Sequence, residues 1–66
     1  MWTVVYIAPN RTMAEQLKSI LEMEGVLVML RPIGAPQLGD SAAVEIMVPQ
    51  SEAAEAAEIL AGAYPR

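Results

Sequence analysis

The sequence predicts an α+β domain, a two-layer sandwich with a small sheet on one side and two helices on the other. Three observations carry this expectation. Ala43 to Val48 alternates, with Val44, Ile46 and Val48 on one side and Ala43, Glu45 and Met47 on the other, the period of two of a strand that buries one face. Residues 11–24 and 51–61 instead repeat apolar positions at spacings of three and four, as helices with one buried stripe do. Read along the chain, the segments run strand, helix, strand, strand, helix.

A chain of 66 residues and 7.1 kDa forms one domain, spanning 1–66. A domain of this size buries only about 60% of the surface that its unfolded chain exposes, and its core rarely supplies more than ~3–5 kcal/mol unaided. The absence of cysteine and histidine excludes disulfides and thiolate chemistry and removes the commonest zinc ligands. Oligomerisation is the remaining source of extra stability. Hydrophobic residues make up 55% of the chain against 18% charged, a rich share for so little interior. Eight acidic against four basic residues give a net charge of -4, which weighs against a nucleic-acid partner, whose phosphates call for a basic footprint. The longest apolar runs are of strand length, and no basic stretch followed by a signal-like apolar segment opens the chain. No membrane partner and a cytoplasmic location are therefore expected.

The first strand covers about 2–8, where β-branched and aromatic residues run up to the turn signal Pro9-Asn10. Both of its faces are apolar. Trp2, Val4 and Tyr6 share one face, and Thr3, Val5 and Ile7 share the other. We assign Val5 and Ile7 to the core and turn Trp2 and Tyr6 outward, because a polar handle on an aromatic ring tolerates an interface better than a helix-packed interior. The first helix, about 11–24, turns Met13, Leu17, Ile20 and Leu21 to the sheet. Two caps compete for its start: Asn10, and Thr12 with Glu15 as a capping box. Asn10 is preferred because it leaves Met13 in the first turn facing the sheet. Lys18 stands four residues before Glu22 and can pair with it, and Gly25 supplies the positive φ that ends the helix.

The second strand is read over 26–33. Its Pro32 cannot donate to a ladder, which places the strand at a sheet edge or the proline at a frayed end. Gly34 to Ser41 is a connection rich in glycine and proline, expected to be the most mobile internal segment. The third strand, about 42–48, is the central one. Ser51 reads as the cap of the second helix, about 51–61, with Glu52, Glu55 and Glu58 outside, Ala56, Ile59 and Leu60 inside, and Gly62 at its end.

A helical crossover makes the first two strands parallel, and the shorter second connection makes the next pair antiparallel. If the third strand inserts between the first two, the sheet order is 1-3-2 and both helices cover one face. That is a ferredoxin-like plan without its last strand.

Residues Tyr6, Ala8, Pro9 and Asn10, a helix with Glu15, Leu17, Lys18, Leu21 and Glu22, then Gly25-Val26, Glu45 to Pro49 and an acidic alanine-rich helix together resemble a small prokaryotic signal-transducing family of unknown biochemical function. The resemblance covers nearly the whole chain. It implies a fold related to the nitrogen-regulatory PII proteins, hence a regulatory role by analogy of fold. The chain lacks the long ligand-gated loop and the basic residues with which PII proteins hold nucleotide phosphates.

Three places are candidates for function. Asn10 and Arg11 are a possible anion-binding pair, combining free N–H groups at a helix start with a guanidinium, against the plainer reading of a cap beside a solvated arginine. Arg31 and Glu45 face each other if the second and third strands pair with a register centred on their connection, which also sets Met29 opposite Met47. They read as a cross-strand stabiliser or as a polar anchor within an interface. Lastly, Trp2, Val4, Tyr6, Leu27, Met29 and Met47 form an apolar patch on the helix-free face, of the kind that marks a binding surface.

No catalytic residue, metal or cofactor is assigned, since an isolated carboxylate without a second acid or base makes poor general acid–base machinery, and an enzyme is not expected. The expected function is that of a small regulatory or adaptor domain that binds a protein partner or small ligand at its sheet face or strand edge. The alternative is a purely structural homo-oligomer. A homodimer is expected in either case, with face-to-face stacking favoured over pairing of the first strand's open edge, which carries no proline or inward charge before Pro9.

Overall fold

The computed structural model describes residues 1–34 and 42–63. Its elements are β1 (Trp2–Ala8), α1 (Arg11–Met23), β2 (Met29–Pro32), β3 (Val44–Pro49) and α2 (Ala53–Ala63), with a 3-10 turn over Gln50–Glu52 leading into α2. The sheet order is β1-β3-β2, antiparallel throughout. Among the described residues this is the β-α-β-β-α ferredoxin-like plan with three strands. No helix among the described residues is long and apolar enough to cross a membrane. The Gly34–Ser41 connection lies, beyond Gly34, outside the described residues.

The core sits between β3 and the helices. Val44, Ile46 and Val48 meet Ala14, Leu17 and Leu21 of α1 and Ala56 and Leu60 of α2, all buried. The alanines leave the helix backbones close to the sheet. None of the buried residues among those described is polar or charged, so this interior is held by apolar burial alone.

Local chemistry defines both ends of α1. The Met13 N–H donates to Asn10 Oδ1 at 2.8 Å, which settles the competition between the two caps in favour of Asn10. At the other end Gly25 takes φ +85°, the Gly25 N–H donates to the Glu22 carbonyl at 3.0 Å and the Val26 N–H to the Leu21 carbonyl at 3.1 Å. This is a Schellman turn, and its two apolar members, Val26 and Leu21, are both in the core.

Four expectations need correction. The second strand is shorter than 26–33: residues 26–28 follow the helix turn without ladder pairing, which begins only at Met29. The second helix has no side-chain cap at Ser51. The chain instead leaves Pro49 into the 3-10 turn, whose tighter bonding makes the start without a side chain. Gly62 lies inside α2 and does not end it, since Ala63 is still helical. The fourth correction concerns β1. Val4 pairs with Met47 but Tyr6 pairs with Ile46, so Val5 is an extra residue in a β-bulge. One inserted residue inverts the inside–outside parity of everything after it. Tyr6 therefore packs against the core, and Ile7, assigned to the interior, is 52% exposed on the open face.

Pro32 sits without cost for a simple reason. The Ile33 N–H donates to the Ala43 carbonyl at 2.9 Å, so 33 and 43 form a hydrogen-bonded rung and the next pair, Pro32 with Val44, a non-bonded one. The donor that proline lacks would have pointed away from β3, into solvent.

Candidate functional site: the open face and its edges

The face of the sheet without helices is built by parity. On β3, Glu45 and Met47 project to this side because Val44, Ile46 and Val48 project to the other. Pairing then sets Val4 and Met29 on either side of Met47, and Ile7 and Arg31 on either side of Glu45. Trp2 lies opposite Pro49 at the end of the same face. Trp2, Val4, Ile7 and Met29 are exposed, and Leu27, just before β2, is exposed as well. Met47 is only 8% exposed because its two neighbours close over it, so it forms the floor of the patch and not its surface. Of the residues expected on this face, Trp2, Val4, Leu27 and Met29 are exposed, Met47 lies beneath them, and the bulge turns Ile7 outward in place of Tyr6. Residues 2–8, apolar except for Thr3, hid that bulge, since both faces of the strand read as apolar in either parity.

Arg31 and Glu45 meet as the register required. Arg31 Nε donates to Glu45 Oε1 at 2.7 Å and Nη2 approaches the same oxygen at 2.6 Å. The carboxylate is the more enclosed partner, its side chain 16% exposed against 60% for the arginine. The pair is a polar clasp beside the apolar patch, with most of the guanidinium still presented to solvent. Its own contribution to stability is of the order of 0.2–1 kcal/mol.

Asn10 and Arg11 do not converge on a common point. The Asn10 side chain is engaged in its cap, and Arg11 turns along the helix to donate from Nε to Glu15 Oε2 at 3.1 Å, which places a carboxylate where an anion would have to sit. The anion-site expectation has no support in this arrangement. Lys18 pairs with Glu22 at 3.7 Å, as its spacing suggests.

Two features were not read from the sequence. The Leu27 N–H donates to Glu52 Oε1 at 3.2 Å, tying the segment before β2 to the turn before α2. A bond across such a sequence distance leaves no local signal. The second is an open groove of ≈ 560 Å³ between α1 and the outer edge of β2, with Arg11, Glu15, Lys18, Ser19 and Glu22 on the helical side and Val28, Met29 and Leu30 on the strand side. Its helical wall could have been found from the charges at 11, 15, 18 and 22, which share one stripe of the helix.

No family model, curated protein or solved structure matches this chain.

Proposed function

We propose that this chain is a small regulatory or adaptor domain that works by holding a protein partner on its open sheet face, without chemistry of its own. The observation that carries the reading is the run of Trp2, Val4, Ile7 and Met29 around Met47, apolar and exposed on a domain whose interior is already filled. Apolar area removed from water contributes about 25 cal/mol per Å², so a partner that covers this face gains a driving force that the isolated domain leaves unused. A protein suits it better than a small ligand. Small-molecule sites are concave and enclose most of their ligand, whereas this surface is a sheet face. Arg31 supplies an orienting group at its border, with donors left over after its bonds to Glu45. The resemblance to the signal-transducing family and its PII-like fold agrees with such a role, exercised in the cytoplasm, and so does the -4 charge, which keeps an otherwise apolar domain soluble.

The test is affinity capture from cell extract on immobilised parent protein and on a Val4→Asp variant of unchanged thermal stability. A defined protein retained by the parent and lost from the variant is the expected result. Equal retention by both would place the binding elsewhere and end this reading.

A further inference from the structure

We infer that two copies of this chain join at the β2 edge, through the groove between β2 and α1, about a twofold axis level with Met29. This joint does not depend on what the open face binds.

The charges that wall the groove are self-complementary. Arg11, Glu15, Lys18 and Glu22 alternate in sign along one stripe of α1, at spacings of four, three and four. That spacing is palindromic, and reversing the order turns plus-minus-plus-minus into its opposite. A second α1 running antiparallel across a twofold axis between Glu15 and Lys18 therefore brings Arg11 to Glu22 of the second copy and Glu15 to its Lys18. Both symmetry-related halves gain the same two attractions, and no like charges meet. An isologous contact requires this property of a surface, and an arbitrary run of four charges does not have it.

The strand side of the groove fits the same axis. Met29 and Arg31 stand on the hydrogen-bonded rungs to β3, so the polar groups of Val28 and Leu30 turn outward. An antiparallel second β2 can bond Val28 to Leu30 of the other copy and Leu30 to its Val28, with no donor asked of Pro32. The centre of that pairing is Met29 against Met29, a non-bonded rung where side chains lie closest. Met29 is also the middle of the three strand residues that line the groove, as the point between Glu15 and Lys18 is the middle of the charged stripe. Packed helices lie 8–10 Å apart and neighbouring strands about 4.8 Å, so two strand spacings accommodate one helix spacing and both layers can continue across one axis.

The other edge lacks these features. β1 is interrupted by its bulge, a common protection against edge pairing. The helix over β1 and β3 is α2, whose charged residues, Glu55 and Glu58, are exposed and acidic with no basic residue between Ala53 and Ala63. Two copies meeting there would set acid against acid.

The product is a six-stranded sheet with its helices on one side and both open faces side by side on the other. It doubles the surface offered to a partner.

Sedimentation equilibrium across micromolar concentrations tests the joint with charge exchanges. Glu15→Lys alone and Lys18→Glu alone each set like charges across the axis and should weaken the dimer about tenfold, the effect of little more than 1 kcal/mol. The double variant Glu15→Lys, Lys18→Glu restores opposite charges across the axis while leaving like-charged neighbours within each helix, so it should recover the parent's dissociation constant. A role confined to one helix predicts no such recovery, since the double variant has as many like-charged neighbours, at 11/15 and 18/22, as either single exchange. Amide exchange at Leu30 should slow with rising protein concentration in the parent. A parent that stays monomeric, or a dimer indifferent to both single exchanges, overturns the proposal. The latter result would move the contact to the sheet face or to β1. Val4→Asp should leave this dimer intact, so loss of partner capture and loss of the dimer are read separately.

Discussion

α1 enters through the Asn10 side chain and leaves through a Schellman turn, whereas α2 grows from a 3-10 turn behind Pro49 and carries a glycine within its last turn. The first helix alternates charges along its outer stripe, and the second has acidic charges only. Both bury leucines against the same strand. One helix is therefore specified by its own ends, and the other by the sheet it lies on. A helix with its terminal N–H and C=O groups satisfied keeps a local preference for its conformation, while an alanine-rich helix of eleven residues gains most of its stability from tertiary packing.

The largest test removes what the two helices share. Ile46 is fully buried at the centre of β3, and Ile46→Ala should cost ~2–5 kcal/mol, enough to unfold much of so small a domain in a thermal melt. A melting point within a degree or two of the parent would mean that β3 is not the strand on which both helices depend. Asn10→Ala should cost about 1 kcal/mol by chemical denaturation, because it frees the Met13 N–H, whereas Ser51→Ala should be near neutral because no cap bond is lost. Equal losses at the two positions would erase the distinction between the helix starts. Gly62→Ala should act in the opposite sense, stabilising by about 0.5–1 kcal/mol at most, since a helical glycine with open space around its Cβ position carries backbone entropy to no purpose. The melting point checks it, and a loss would show that Gly62 has a structural duty in its last turn.

Element order, sheet order and the 29–47 and 31–45 pairings were legible because each rests on a short-range pattern: alternation, helical spacing, and a connection with equal arms. Asn10 and Gly25 were legible because caps are local. The bulge at Val5 was not, since parity can be read only where one face is polar, and residues 2–8 offer apolar side chains to both faces. Ser51 misled for a related reason. A residue that prefers a cap site says nothing about whether the chain arrives there already turning, and Pro49 starts the turn earlier. Of the candidate site, the apolar face was legible apart from Tyr6 and Ile7, while the groove required knowing which helix lies beside which edge.

The pairing of β1 with β3 bears on the order of assembly. Arg31 and Glu45 are 14 positions apart, and α1 with its terminal turn is local, so α1, β2 and β3 can associate after closing only short loops. Trp2 must find Pro49, across nearly the whole chain. β1 should therefore dock late, and until it does the backbone groups of β3 that it will cover stand open to any extended chain nearby. Substitutions in β1 such as Thr3→Ala are expected to accelerate unfolding while leaving the folding rate almost unchanged, which stopped-flow chevrons would read directly. Refolding yield should therefore fall as protein concentration rises, because the uncovered edge of β3 can pair with a second chain before β1 arrives.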